Sequence, residues 1–205
     1  MAKLTITTFL TLDGVMQAPG GPPEDTSGGF RYGGWLVPYF DAGTGQFMSE
    51  VFERVDAFLL GRGTYQIFAS HWPRVTDPND LIAGRLNALP KHVASRSLER
   101  VDWHNSSLLR DVVAEVAALK VKYDRELQVH GSAGLAQTLL EHDLVDEYNV
   151  LTFPVVLGTG KRLFGAGAIP AALALKHSQA TSSGVVISTY ARAGKPQVGS
   201  FMLPD

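Results

Sequence analysis

The hydrophobic and polar positions along the chain divide it into segments typical of strands and helices. The segment Lys3 to Leu12 mixes threonine with apolar residues, which suits a strand whose two faces differ in burial. Further along, Phe47, Val51 and Val55 repeat every four residues. This spacing predicts an amphipathic helix that packs on a sheet.

The remaining pattern alternates between strands and helices and then changes to strands only. Strands are predicted at residues 57–61, 91–94, 126–130 and 147–157, and a C-terminal hairpin at 173–181 and 185–191. Ser107 is the predicted N-cap of a long helix, because Leu108, Val112, Val116 and Leu119 keep a helical spacing. The pattern predicts one α/β domain over residues 1–205, with a mainly parallel central sheet and an antiparallel C-terminal edge.

Two predicted strands turn directly into helices through glycine. The first turn, Gly61-Arg62-Gly63-Thr64, offers helix-start amides, a guanidinium and a hydroxyl, a set that suits phosphate. The second turn runs from Gly131 through Ser132, Ala133 and Gly134 to Leu135. If these turns lie at equivalent ends of neighbouring parallel strands, they can hold the two ends of one dinucleotide.

A loop rich in glycine and proline occupies residues 15–40 and is predicted to be an active-site lid. It carries Gln17 and Trp35, which are candidate substrate-binding residues together with Glu50 on the following helix. Two carboxylates near the loop, Asp13 and Asp41, are candidates for hydrogen bonding to the substrate or for relaying a proton through water. The alternative for Asp41 and Glu50 is a capping or solvated surface position, and the alternative for Asp13 is a turn with Gly14.

Composition and charge exclude several classes of function. The formal net charge of -2 provides no long-range field for nucleic acid or an anionic membrane, and the absence of cysteine removes disulfides and thiolate sites. The six histidines form no metal-binding motif, so we expect no metal. With no signal-peptide or transmembrane pattern in the sequence, we expect a cytoplasmic protein. Complete Rossmann, Walker and Gly-x-Ser-x-Gly motifs are absent from the sequence.

The motifs in their order resemble the dihydrofolate reductase superfamily, most closely the branch containing the reductase domain of bacterial riboflavin biosynthesis. The resemblance spans nearly the whole chain and is carried by residues 11–15, 58–65, 129–135, 144–148, 154–160 and 163–164. It implies a three-layer α/β fold and NADPH as the hydride donor. By position it implies that Gly61, Arg62 and Thr64 bind cofactor phosphates, with Arg62 toward the 2′-phosphate. It further implies that Ser95 and Arg96 flank the adenosine and that residues 131–135 hold the pyrophosphate.

The family's substrate carboxylate does not align with one position, since Asp41 begins the relevant helix and Glu50 lies inside it. The resemblance implies an NADPH-dependent reductase of a small heterocycle, most similar to 5-amino-6-(5-phosphoribosylamino)uracil reductase. Alternatives are reduction of a pterin or another substrate, a non-catalytic NADPH sensor, and a purely structural homodimer. We expect a homodimer with a small-molecule substrate and with neither nucleic acid nor membrane as a partner.

Overall fold

The computed structural model describes residues 1–165 and 169–202. The domain predicted over residues 1–205 therefore includes residues 166–168 and 203–205, which lie outside the described residues. The strands are β1 (Lys3–Thr11), β2 (Val55–Gly61), β3 (Lys91–Ala94), β4 (Ser106–Leu109), β5 (Glu126–His130), β6 (Glu147–Phe153), β7 (Leu173–Ala180) and β8 (Val186–Arg192). The α-helices are α1 (Ala42–Glu53), α2 (Arg62–His71), α3 (Leu81–Ala88), α4 (Val112–Lys122) and α5 (Ala133–Glu141). None of the helices in this part of the chain is long and apolar enough to cross a membrane.

The strands form one mixed sheet in the order β4-β3-β2-β5-β1-β6-β8-β7. The six strands from β4 to β6 pair in parallel, and β8 and β7 complete the sheet with antiparallel pairings. The predicted mainly parallel sheet with an antiparallel C-terminal hairpin is confirmed. Because β2 and β5 are neighbours, the two glycine turns that follow them lie at the same edge of the sheet.

Helices cover both faces of the sheet and give the predicted three layers. On β2, Phe58 and Leu60 face one core, whereas Ala57 and Leu59 face the other. The first core contains side chains of α1, α3 and the 15–40 loop, and the second contains side chains of α4 and α5. Every one of these four β2 residues is 0% exposed, as the continuous apolar run predicts for a strand covered on both sides.

The predicted N-cap at Ser107 is wrong. Ser107 belongs to β4, where it pairs with His92 of β3, and the following helix begins at Val112. Asp111 caps this helix, since its carboxylate accepts a hydrogen bond from the backbone N–H of Ala114 at 3.1 Å. The apolar residue Leu108 continues the helical spacing by coincidence, because a strand of four residues is too short to establish a period of its own.

The 15–40 loop packs into the first core. Val15, Phe30 and Trp35 are buried, and the Trp35 indole N–H donates a hydrogen bond to the carbonyl of Gln17 at 2.8 Å. The Trp35 ring meets Phe153 edge to face, with 5.5 Å between the ring centroids. The loop is therefore a fixed wall of the domain in this structure, anchored by aromatic side chains.

Candidate functional site

A cleft of about 1610 Å³ opens at the carboxyl ends of the parallel strands. Strand residues that line it are Thr7, Thr8 and Phe9 of β1, Gly61 of β2, Ala94 of β3, Leu109 of β4 and His130 of β5. Small-molecule sites commonly have volumes of roughly 300 to 1,000 Å³. This cleft therefore has room for a dinucleotide and a second small molecule together.

The two glycine turns are joined directly by one side chain. The Ser132 hydroxyl accepts a hydrogen bond from the backbone N–H of Gly61 at 2.9 Å and donates one to the hydroxyl of Thr64 at 2.7 Å. A Cβ atom at Gly61 would lie 2.9 Å from the Ser132 oxygen, so this approach requires glycine. The prediction that the two turns lie side by side is confirmed.

Two helices begin at these turns without a side-chain cap. Gly61 is the N-cap of α2, and Ser132 is the N-cap of α5 in the left-handed conformation with φ 65°. Gly61 has no side chain to cap α2, and the Ser132 side chain accepts no hydrogen bond from α5. First-turn N–H groups of both helices therefore border the same cleft, an arrangement that stabilises bound anions.

Three arginines surround the carboxyl ends of β3 and β4. Arg62 donates to the Ser97 hydroxyl at 3.2 Å, and Arg110 donates to the Ser95 carbonyl at 2.8 Å, while Arg96 lies between these contacts in sequence. All three line the cleft, and none takes part in an ion pair among the described residues. Their guanidinium groups are available for phosphate.

All ten residues predicted to bind a cofactor line this one cleft. They are Gly61, Arg62, Thr64, Ser95, Arg96, Gly131, Ser132, Ala133, Gly134 and Leu135. The sequence analysis missed Arg110, because β4 was read as part of a helix and its carboxyl end was not recognised.

The other part of the cleft is largely apolar. Its apolar wall is formed by side chains of α1, α2, α3, the 15–40 loop and the turn directly after α2, namely Leu36, Phe40, Met48, Phe52, Phe68, Trp72, Ile82 and Leu86. Thr7, Thr8, Gln17 and His130 add polar groups. Apolar walls with a few polar groups are typical of pockets for flat heterocycles.

The structure places Asp13 outside this cleft. Its carboxylate accepts hydrogen bonds from the Thr11 hydroxyl at 2.6 Å and from the backbone N–H groups of Leu157 and Gly158 at 3.2 and 2.8 Å. Arg162 approaches it at 3.3 Å. These hydrogen bonds, above all the one from the Thr11 hydroxyl, lower the pKa of Asp13 to about 2. The Asp13 carboxylate is therefore ionised at neutral pH, where it holds the surrounding loops together and cannot donate a proton.

Asp41 also lies outside the cleft and has a structural role. Its carboxylate caps α1 through the backbone N–H of Thr44 at 2.9 Å and binds the Ser182 hydroxyl and Ser183 N–H at 2.8 and 2.9 Å. The capping hydrogen bond and those from the β7–β8 turn hold the pKa of Asp41 far below its usual range. These contacts give Asp41 a structural role, and the geometry does not support its catalytic assignment.

The three predicted substrate-binding residues are separated by the fold. Glu50 accepts a hydrogen bond from Gln46 at 3.1 Å and lines a second groove beside the C-terminal hairpin. Trp35 is part of the core. Gln17 lines the cleft, but its amide holds the loop through the carbonyls of Asp25 and Ser27 and the N–H of Lys161.

Besides Arg110, the sequence analysis missed two more cleft residues as candidates. Glu24 accepts hydrogen bonds from the N–H groups of Gly20 and Gly21, and burial raises its pKa despite them. His130 is buried at the end of β5. The alternating polar residues Glu126, Gln128 and His130 on an otherwise buried strand were a signal that could have identified the histidine.

Comparison with known proteins finds relatives that are similar to this chain in sequence. The chain is 26% identical over 190 residues to the uncharacterized protein YyaP of Bacillus subtilis, covering 92% of this chain and 94% of the relative. It is 29% identical over 116 residues to the riboflavin biosynthesis protein RibD of Corynebacterium ammoniagenes, covering 53% of this chain and 34% of that protein.

Solved structures show the same fold. A putative riboflavin biosynthesis protein from Shewanella sp. PV-4 superposes with a TM-score of 0.70 at 25% identity, over 94% of this chain and 99% of that one. A deaminase and 5-amino-6-(5-phosphoribosylamino)uracil reductase from Thermotoga maritima gives a TM-score of 0.61 at 13% identity, over 94% of this chain and 57% of that one. These neighbours confirm the dihydrofolate reductase-like fold.

The family assignment follows from the match of residues 2–187 to the RibD C-terminal domain. This range includes both glycine turns and six parallel strands. The family is one of reductases, which supports assignment of this chain to the general class of oxidoreductases. The chain belongs to the RibD C-terminal domain family.

Proposed function

We propose that this protein is an NADPH-dependent reductase of a small heterocyclic substrate, most similar to 5-amino-6-(5-phosphoribosylamino)uracil reductase. The observation that carries the proposal is the hydrogen bond from Gly61 to Ser132, which places two uncapped helix starts in one cleft. The reductase named in the Thermotoga maritima structure, the riboflavin biosynthesis protein RibD of Corynebacterium ammoniagenes and the shared family support the same reaction class.

The donor groups of this chain fit NADPH. Amides at the starts of α2 and α5 suit the pyrophosphate, and the hydroxyls of Thr64 and Ser95 add further polar contacts. Arg62, Arg96 and Arg110 suit the 2′-phosphate, because a planar guanidinium binds phosphate oxygens in pairs. When bound, NADPH supplies the hydride.

The residues of the apolar wall orient the acceptor and exclude water. Met48, Phe52 and Leu86 present a surface against which a flat ring can pack. Holding two reactants in a fixed mutual orientation accelerates reaction strongly, since the entropy of bringing them together is already lost. Removal of water strengthens each polar contact that the cleft makes with the ring.

The proposal is tested by calorimetric titration with NADPH, followed by measurement of NADPH oxidation at 340 nm. We expect binding in solution and substrate-dependent loss of absorbance with 5-amino-6-(5-phosphoribosylamino)uracil. Absence of any NADPH binding up to millimolar concentrations would contradict the assignment. The NADPH-binding result does not depend on which heterocycle is the substrate, because NADPH binding is measured before any heterocycle is added.

A pterin substrate is the alternative within the same reaction class, and the apolar wall accommodates either ring. Turnover with dihydrofolate in place of the pyrimidine would favour it. Tight NADPH binding without turnover of either substrate would favour a sensor. A homodimer and a small-molecule partner stay predictions.

A further inference from the structure

We propose that His130 recognises the heterocyclic substrate, by presenting an unprotonated Nδ1 to the cleft as an acceptor for an N–H donor of the ring. The inference rests on the proposed function and adds a specificity-determining residue to it. His130 is not one of the residues that we assign to phosphate binding in the two glycine turns or among the arginines. Four observations support it.

A chain of hydrogen bonds fixes the orientation of the Gln128 amide. Its nitrogen lies 2.7 Å from the carbonyl oxygen of Val51 and 2.7 Å from a carboxylate oxygen of Glu126. The other Glu126 oxygen pairs with Arg54 at 2.7 Å. Because a carbonyl and an ion-paired carboxylate only accept hydrogen bonds, the nitrogen must face them and the Gln128 oxygen must face His130.

This orientation determines which nitrogen of His130 carries the proton. The Gln128 oxygen lies 3.0 Å from Nε2 of His130, and an amide oxygen can only accept. Nε2 is therefore the donor. In a neutral imidazole the other nitrogen, Nδ1, is then an acceptor.

The ring is held neutral and rigid. Burial lowers the pKa of His130 to about 3, so the imidazole is uncharged at neutral pH. It stacks on Phe52 with 4.7 Å between the ring centroids and an interplanar angle of 30°, and Phe58 lies 5.8 Å away. A ring fixed on two aromatic neighbours and one amide has little freedom to rotate.

The His130 ring borders the cleft, although the residue as a whole is only 6% exposed. His130 lines the cleft and directly precedes the turn at Gly131. Among the described residues, Nδ1 has no hydrogen-bond partner in the protein. An acceptor without a protein partner, on a residue between the phosphate-binding turns and the apolar wall, is placed to meet a ring N–H.

The tautomer is measured first, on the protein without ligand. Long-range ¹H–¹⁵N correlation spectra distinguish the Nε2–H form from the Nδ1–H form, and the His130 signals are assigned by their loss in His130→Asn. We expect the Nε2–H form for His130. An Nδ1–H form would overturn the proposal, because Nδ1 could then not accept a hydrogen bond.

The second measurement uses uracil, a flat ring with two N–H donors, and 1,3-dimethyluracil, which has none. With NADP⁺ bound, we expect uracil to shift the Nδ1 resonance of His130 and 1,3-dimethyluracil to leave it in place. Equal shifts, or no shift with uracil, would overturn the proposal. Failure of NADP⁺ to bind would count against the proposed function instead, while the tautomer result stands by itself.

Kinetics with variants separates recognition from folding. In His130→Leu we expect KM for the heterocycle to rise about 10-fold or more, with unchanged affinity for NADPH. In His130→Asn the side-chain amide oxygen can accept the hydrogen bond, so we expect a smaller rise in KM. Gln128→Met is expected to raise KM and to populate both tautomers, since Gln128 is a positioning residue. Gln179→Met, the same change on β7, is the control. Equal KM in all variants would contradict the role of His130.

Discussion

The hydroxyl oxygen of Ser132 lies 2.9 Å from the backbone nitrogen of Gly61, although the two residues are 71 positions apart. The contact fixes the distance between the starts of α2 and α5, because each residue is the N-cap of its helix. A rigid spacing of two anion-binding helix ends determines which phosphates can bind both at once. The stability of this junction and the affinity for the cofactor are therefore coupled.

The first prediction concerns Gly61→Ala. Gly61 has φ -74° and ψ 159°, an ordinary extended conformation, so the penalty for alanine comes only from space. Its Cβ would lie 2.9 Å from Oγ and 3.0 Å from Cβ of Ser132. We expect the free energy of unfolding to fall by about 1 to 3 kcal/mol and NADPH affinity to fall with it.

A double-mutant cycle checks the reason for this loss. Ser132→Gly removes both close atoms, and glycine adopts the left-handed conformation of Ser132 without strain. Gly61→Ala should therefore cost less in that background. Gly63→Ala is the control, because no neighbouring atom lies within 4 Å of a Cβ there. An equal cost of Gly61→Ala in both backgrounds, measured by urea unfolding, would exclude the contact as the cause.

The second prediction concerns Arg62→Ala and cofactor choice. If Arg62 binds the 2′-phosphate, its loss should weaken NADPH by about 10-fold or more and NADH only slightly, since a hydrogen bond to a charged group contributes about 1.5 to 3 kcal/mol. Arg74→Ala, at an exposed position outside the cleft, is the control. Calorimetric Kd values for both cofactors decide the question, and an equal loss for NADPH and NADH would assign Arg62 another role.

The glycine turns could be predicted because their signal is local. A short apolar strand that closes on glycine and continues as a helix is contained in about ten residues, and Gly61 and Gly131 both lie in such segments. The alternation of strands and helices predicts parallel strands, whereas the structure is needed to show that β2 and β5 are neighbours. The fold and the phosphate-binding part of the site were therefore within reach of the sequence.

The roles of the carboxylates were not predictable in the same way. A carboxylate that caps a helix and one that binds a substrate look alike in sequence. Beyond their local partners Thr11 and Thr44, Asp13 and Asp41 also bind groups more than 140 residues away, at Gly158 and Ser183. His130 was missed for a related reason. Its orientation depends on an amide from its own strand, a carbonyl of α1 and aromatic rings of α1 and β2.

The third prediction separates a structural from a catalytic role of Asp41. Asp41→Ala should lower Tm by several degrees and leave kcat unchanged, because the side chain caps α1 and holds the Ser182–Ser183 turn. Asp41→Asn retains one acceptor oxygen and should lower Tm less. Thermal unfolding and NADPH oxidation are measured on the same samples. A large fall in kcat at an unchanged Tm would restore Asp41 as a catalytic candidate.

The fourth prediction concerns stability in acid. His92 donates or accepts hydrogen bonds with Ser107 at 2.9 Å and Tyr123 at 2.8 Å, and burial, assisted by Lys122, lowers its pKa to about 4. The unfolded chain takes up a proton near pH 6.5, whereas the folded protein does so only near pH 4. The contribution of His92 is therefore complete above pH 6.5 and is lost as the pH falls toward 4.

The loss is measured by urea unfolding at pH 7 and pH 5. The two pKa values give a decrease of about 2 kcal/mol for His92 between these pH values. We expect His92→Gln to lose that much less stability than the wild type on acidification. His104→Gln, at an exposed position, should follow the wild type. Parallel pH dependence of the wild type and His92→Gln would show that His92 titrates normally.

The last prediction compares two glycines, Gly158 and Gly160, in the segment that follows β6 and lies beside the 15–40 loop. Gly158 and Gly160 both have positive φ, 74° and 123°, so alanine is strained at either position. A Cβ at Gly158 would meet no atom within 4 Å, whereas one at Gly160 would lie 2.6 Å from Val15 and 2.9 Å from Phe30. Both of these neighbours are buried and cannot move aside freely.

Gly158→Ala should therefore lower the free energy of unfolding by about 1 kcal/mol, and Gly160→Ala by about 1 to 3 kcal/mol more. Because the loop supplies a wall of the cleft, only Gly160→Ala should also raise KM for the heterocycle, and equal effects of the two variants would mean that the loop is not held by this contact.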